Sequence, residues 1–253
     1  MSGTVRPGRQ LAVIGGGASG TLQALHLKRA GADVTLIERG ATAGRGVAYG
    51  TTRPEHLLNV PARRMSAWAD DPGHFSRWYA DVAGATEEDY APRMVYGDYL
   101  TGQLAAEGIE AVRGEAADLA DGAVLLAGGG RIAADAVVLA PGNFPPATPR
   151  GIDTAALGGI WVDDPWTGGL DGLGPKDVVF LLGTGLTMVD VALTLTATGF
   201  RGRMVALSRR GLAPRVHGLR EPMVPAREDL VPDCMDDGLR SEIMAQILEL
   251  PKM

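Results

Sequence analysis

The sequence predicts an α/β chain: a parallel sheet in three-layer packing, with a β-meander set beside it. Two observations carry that prediction. Apolar runs of strand length, LAVI at 11–14 and VVFLL at 178–182, each stop at a glycine cluster and resume as a helical pattern. Parallel strands covered on both faces read as continuous apolar runs of this kind. Between the two units, Asp121-Gly122 and Gly128-Gly129-Gly130 break short apolar stretches in the way that antiparallel turns do.

Taken in order, residues 10–14 form the first strand and 19–30 a helix that Gly31 ends. Residues 33–37 form the next strand, with Glu38 at its carboxyl end. That is one βαβ unit over 10–38. Residues 40–72 are rich in Gly, Pro and Arg and read as ordered loop; 72–81 and 96–107 read as helices. A β-meander spans 110–134, and AVVLA at 136–140 is a further core strand closed by Pro141-Gly142. The proline- and glycine-rich stretch that follows resembles a connector, so the expected organisation is a first domain over 1–150, a linker over 151–175, and a second unit with the tail over 176–253. The second unit has a strand at 178–182, a helix at 186–198 stopped by Gly199, and a strand at 203–208; it need not be a complete three-layer unit. A Pro- and Arg-rich tail over 211–232 and a last helix near 239–250 complete the reading.

The glycine spacing points to nucleotides. In Gly15-x-Gly17-x-x-Gly20 the first glycine permits a tight turn, the second lets backbone approach a pyrophosphate, and the third lets helix pack on strand. Ala18 and Ser19 open the helix, whose N-terminal N–H groups and dipole suit phosphate. Glu38 stands where a carboxylate accepts ribose hydroxyls, which favours FAD or NAD over NADP; Arg39 follows it. The second turn, Gly183-Thr184-Gly185-Leu186-Thr187, departs from the pattern with Met188 in place of its third glycine. Where an acid would serve NAD, this unit carries Ser208-Arg209-Arg210, whose guanidinium groups suit the 2′-phosphate of NADP(H). A solvated basic turn is the bland reading of the same residues.

Composition narrows the class. A formal net charge of −6 gives no support for nucleic acid or anionic membrane as partner, and glycine, 36 of 253 residues, is well above the usual share of roughly 7%. Cys234 is the sole cysteine, so no intrachain disulfide forms and no Cys-based metal site is expected; no HExxH pattern occurs either. Neither a secretory signal nor a membrane span is expected, and the cytoplasm is the expected location. Of the four histidines, His26 and His74 read as structural, while His56 and His217 are weak candidates for catalytic groups facing a substrate.

Many ordered strings carry a resemblance: GGGASG at 15–20 followed by Glu38-Arg39, GRGVAYG at 44–50, HLLNVPARRMSAW at 56–68, DDPGHFSRW at 70–78, PRMVYGDYL at 92–100, LAPGNFPP at 139–146, DDPW at 163–166, LLGTGLTMVD at 181–190 and SRRGLAPR at 208–215. Over residues 10–220 the chain resembles FAD/NAD(P)-binding oxidoreductases of the FAD-dependent urate-hydroxylase-like kind, which are Rossmann-like two-dinucleotide-binding flavoproteins. The resemblance implies FAD on the first unit and NADPH on the second. It implies that Arg45 and Gly46 lie by the FAD, that Asn59 and Val60 reach the flavin, and that Pro141 and Gly142 link the domains. Arg45 is also a candidate for neutralising pyrophosphate charge. The family pattern includes a returning strand ending in Gly-Asp after the second unit; none follows Arg210, so the chain is expected to be short at its C-terminus. The leading expectation is an FAD-dependent oxidoreductase, a monooxygenase among the options, passing hydride from NADPH to FAD. The alternatives are a non-catalytic nucleotide-binding or redox-sensing module and a single-cofactor NAD(P) enzyme. The small-molecule substrate is not written in these residues, and a homodimer stays open.

Overall fold

The computed structural model describes residues 8–166, 168–212 and 214, all within one compact unit that runs to Pro214. The expected tail beyond residue 214, the helix near 239–250 and His217 lie outside the described residues.

Strand β1 (Gln10–Ile14), helix α1 (Ala18–Arg29) and strand β2 (Asp33–Glu38) form the first crossover, with β1 and β2 parallel in register from Gln10↔Asp33 to Ile14↔Ile37. Gly31, at a φ of +89°, makes the turn out of α1 that a side chain would resist. A one-turn helix α2 (Gly46–Tyr49) lies in the expected loop, followed by α3 (His74–Ala83) and α4 (Arg93–Ala106). Both longer helices are offset from the sequence expectation. Gly84, left-handed at a φ of +64°, lets α3 run past residue 81, and α4 starts directly after Pro92 rather than at residue 96.

The meander is shorter than expected. Residues 111–113 leave it and form β3 (Ala111–Arg113), which pairs in parallel with β2. The antiparallel part is β4 (Ala116–Ala120), β5 (Ala123–Leu126) and β6 (Arg131–Ala133), then β7 (Ala136–Leu139) pairs in parallel with β1. Sheet order is β3-β2-β1-β7. Asp121 and Gly122 both have positive φ, as a two-residue hairpin whose twist matches its strands requires.

Burial follows from this order. Central strand β1 sends Ala12 to one face, against Ile37 and the meander residues Val124 and Ala134. It sends Val13 to the other, against Leu25 of α1 and Leu100 and Leu104 of α4. Meander, sheet and helices thus make three layers, with the meander forming one of them rather than standing beside them.

The connector contains a one-turn helix α5 (Thr154–Leu157), capped by the Asp153 carboxylate, which accepts from the Ala155 and Ala156 N–H groups. Strand β8 (Val178–Leu182), helix α6 (Leu186–Ala197) and strand β9 (Arg203–Leu207) then repeat the crossover, with β8 and β9 parallel. Val179 and Leu181 pack on Val191, Leu195 and Phe200. On the other face Val178, Phe180, Leu182 and Leu207 are exposed, Phe180 by 68%. Among the described residues the second unit therefore has two layers, not three. No described helix is long and apolar enough to cross a membrane.

Candidate functional site

The first turn is built by close contact. Gly15 has a φ of +101°, and a Cβ there would lie 2.1 Å from the Ala140 carbonyl oxygen. A Cβ on Gly20 would lie 1.8 Å from the Gly15 carbonyl oxygen, so α1 presses onto the turn as only glycine allows. Gly17 stands at the N-cap of α1 without a side-chain cap, leaving the first-turn N–H groups of Ala18 and Ser19 free of any side-chain acceptor. Gly46 crosses in front, and its Cβ would lie 3.0 Å from the Gly17 Cα.

Glu38 closes the turn from the end of β2. One carboxylate oxygen accepts from the Gly16 N–H and the other from the Gly40 N–H, each at 2.6 Å. A carboxylate has about four acceptor positions, so each oxygen retains capacity for a sugar hydroxyl. Arg39 is exposed beside it. The Arg45 guanidinium turns toward α4, where it pairs with Asp98 and reaches the Met94 carbonyl. The structure thus gives this cation a protein partner in Asp98. Pro141 and Gly142 follow β7 on the exposed surface, with Gly142 at a φ of +79°.

The second turn has the same backbone. Gly183 has a φ of +103° and its N–H donates to the Leu207 carbonyl at 2.7 Å, as the Gly15 N–H donates to Ile37 at 2.9 Å. Gly185 is the uncapped N-cap of α6, and a Cβ on either glycine would meet nothing within 4 Å. The Thr184 hydroxyl donates to the Leu212 carbonyl. Beyond β9, Arg209 and Arg210 are exposed.

A cleft of about 410 Å³ opens beside the start of α6. Ala48, Tyr49, Leu58, Asn59, Val60, Met65 and Arg93 form one wall; Leu186, Thr187 and Asp190 of α6 form the other. Burial raises the Tyr49 phenol above its ordinary value, against the opposing charge of Arg93, so the hydroxyl stays a proton donor at neutral pH. His56, buried behind this wall, hydrogen-bonds through Nδ1 to the Thr51 hydroxyl and through Nε2 to the Thr194 hydroxyl, each at 2.8 Å.

A family model for FAD-NAD(P)-binding proteins matches residues 12–144, more than half of the chain. The chain belongs to the FAD-NAD(P)-binding family. The matched region holds the first turn, Glu38 and most of the cleft wall, and ends before β8. A 156-residue stretch is 30% identical to dihydrolipoyl dehydrogenase 2 of Haloarcula marismortui, covering 58% of this chain and 33% of that protein. The chain therefore spans about a third of the length of the curated relative it matches. Among solved structures, a flavin monooxygenase from Stenotrophomonas maltophilia superposes with a TM-score of 0.55 at 19% identity, over 80% of this chain and 59% of that one. S-allyl-L-cysteine S-oxygenase from Allium sativum gives 0.53 at 19%, over 85% and 54%. OTEMO in complex with FAD and NADP gives 0.51 at 18%, over 81% and 40%. At these identities the likeness is one of fold.

For an FAD-NAD(P)-binding protein the donor set fits the nucleotides: two glycine turns without side chains, two uncapped helix N-termini, an acid after one unit and two arginines after the other. Sequence reasoning passed over Gly16, whose N–H orients Glu38, and Tyr49, Arg93, Asp190 and Thr194. The signal for Arg93 and Asp190 was present, since each lies inside a string that carried the resemblance. Among the described residues no cluster of metal-ligating side chains occurs.

Proposed function

We propose that this protein is an FAD-dependent oxidoreductase of the monooxygenase kind that draws its electrons from NADPH. One observation carries the reading: a single cleft is walled by residues 48–93 of the first domain and by the start of α6 in the second unit. A protein that held its two nucleotides for unrelated reasons would have no need to set the first turn of α6 against the 48–65 wall and Arg93.

When bound, FAD supplies the redox chemistry, taking hydride from the nicotinamide and passing electrons to oxygen or another acceptor. The chain's own part is binding and orientation. The first-turn N–H groups of α1 and its dipole receive the FAD pyrophosphate, and Glu38 receives ribose hydroxyls. The start of α6 does the same for the second nucleotide, with Arg209 and Arg210 on the 2′-phosphate. Ala48, Leu58, Val60 and Met65 give the cleft an apolar wall that limits water around the reacting rings. Arg45, paired with Asp98, holds the 44–49 loop against α4 and keeps Gly46 in front of the phosphate turn.

The acceptor we expect is a small molecule, since a net charge of −6 disfavours nucleic acid and anionic membrane. The lone cysteine accords with a cytoplasmic location. The second reading, a nucleotide-binding or sensing module without turnover, has the same two turns and differs in whether electrons pass between the nucleotides.

The test is a visible absorbance spectrum of the purified protein with added FAD, then with NADPH under anaerobic conditions. Bound flavin that bleaches with NADPH, and less readily with NADH, is the expected result. Flavin that binds and never bleaches would select the sensing module. NADPH oxidation with no flavin bound would overturn both.

A further inference from the structure

Helix α6 is attached to the first unit through polar side chains. The apolar cluster beneath it, Val191, Leu195 and Phe200 with Val179 and Leu181, belongs to the second unit, joined by Leu170 and Leu173 of the connector. Among the described residues, the hydrogen bonds and ion pair that cross from α6 to the first unit are made by Asp190 and Thr194, four residues apart and so on one face of the helix. Asp190 takes an ion pair from Arg93 at 2.8 Å, with both side chains largely buried. Thr194 meets His56 Nε2 at 2.8 Å, and the Asp190 carbonyl lies 3.2 Å from the same nitrogen.

The same two residues of the first unit hold the other wall of the cleft. Arg93 donates from Nε to the Leu57 carbonyl at 2.9 Å and from its backbone N–H to the His56 carbonyl at 2.7 Å. Its Nη2 reaches the Asn59 side-chain oxygen at 3.4 Å. His56 is only 3% exposed, its second nitrogen is on Thr51, and Trp166 stands edge-on at 5.3 Å. Both ring nitrogens are therefore committed within the protein, which leaves His56 no free position for a substrate proton.

We propose that His56 and Arg93 are positioning residues that clamp α6 to the 56–59 segment and so set the separation of the two nucleotide rings. A buried ion pair is a poor source of net stability, because desolvation offsets the Coulomb gain; its value lies in selecting one geometry. Geometry is what hydride transfer demands, since reacting atoms displaced by about 1 Å lose rate steeply. The clamp acts through the walls of the cleft and touches neither ring system itself. Its kinetic part rests on the two-nucleotide reading above; its structural part does not.

The experiment uses the full chain with His56→Phe, which keeps an aromatic ring and removes both hydrogen bonds, His56→Gln, which keeps an amide toward α6, and Thr194→Val. Amide hydrogen exchange is recorded without nucleotide, and anaerobic flavin reduction is followed over a range of NADPH concentrations. The expected result is selective loosening: exchange of α6 amides speeds by about tenfold in His56→Phe and Thr194→Val, as loss of a buried hydrogen bond implies, while α1 amides are unchanged. The limiting reduction rate falls by about tenfold or more, FAD content and the apparent NADPH dissociation constant stay within about twofold, and His56→Gln recovers part of the rate. Unchanged α6 exchange in both His56→Phe and Thr194→Val would overturn the proposal, as would equal loosening of α1 and α6. A wild-type protein whose flavin never bleaches would sink the NADPH oxidoreductase reading and leave the exchange result to decide the clamp.

Discussion

The β1–α1–β2 and β8–α6–β9 units share one backbone design and differ in what surrounds it. Gly15 and Gly183 have nearly the same positive φ and close the same hydrogen bond to the neighbouring strand. Around Gly15 stands a third strand: β7 brings the Ala140 carbonyl to 2.1 Å from where a Cβ would be. Around Gly183 no atom approaches within 4 Å of that place. A glycine motif therefore records two separate demands, close packing and close ligand approach, and the second unit has the open turn without the packing contact. Met188 becomes intelligible on this basis. Its counterpart Gly20 is forced by the pressure of α1 on the turn, and the second unit gives the half-buried Met188 room for a side chain.

The widest gap between the units should come from alanine substitutions. Gly20→Ala puts a methyl 1.8 Å from a backbone oxygen, and overpacking of this kind is expected to cost about 3 kcal/mol or more. Gly185→Ala meets open space at an extended φ of −78° and should stay within about 0.5 kcal/mol, while weakening NADPH binding by crowding the phosphate approach. Chemical denaturation of the two variants measures this, and equal destabilisation would end the distinction between packing and approach.

The terminal residues of each unit offer a sharper comparison. Glu38→Gln replaces one acceptor oxygen with an NH2 group, so one of the Gly16 and Gly40 N–H groups loses its acceptor, a loss of about 1–3 kcal/mol. Isothermal titration should show weaker FAD binding and unaltered NADPH binding. Arg209→Ala should do the reverse, lowering NADPH affinity by about tenfold through loss of a charge-assisted hydrogen bond and sparing NADH. If NADH affinity falls equally, the 2′-phosphate is not what Arg209 reads.

The smallest effect concerns alkaline pH and the first unit alone. Tyr49, Tyr79, Tyr96 and Tyr99 all have phenol pKa values raised above 10.0, burial being the main cause in each. A raised folded-state pKa gives stability that is fully present below 10.0 and lost as pH rises through the folded values. Titrating tyrosinate absorbance should show these phenols ionising late, with the helices around Tyr96 and Tyr99 loosening before β8–α6–β9. Ionisation at the ordinary value with the fold intact would show that their burial is not maintained.

What was legible in the sequence was local. The glycine spacing, the strand runs, Glu38 and the arginines after β9 all lie within short stretches whose chemistry is self-contained. Boundaries slipped where two signals were equivalent: Arg93, Met94 and Val95 continue α4 without any pattern to distinguish them from loop, and an apolar triplet at 111–113 does not say which strand it will join. The cross-unit contacts were beyond reach because they span the chain. His56 and Thr194 are 138 positions apart, and Arg45 meets Asp98 across 53. Nothing near His56 announces that both its nitrogens are engaged, so its buried role read as a potential catalytic one.

The bare side of β8–β9 gives this protein a colloidal character that its charge does not suggest. Val178, Phe180, Leu182 and Leu207 form a solvent-facing apolar strip on a two-stranded sheet, and such strips recruit one another at high concentration. Among the described residues that strip favours self-association, which a net charge of −6 opposes. A lysine at position 180 is the single change most suited to making the protein easy to handle.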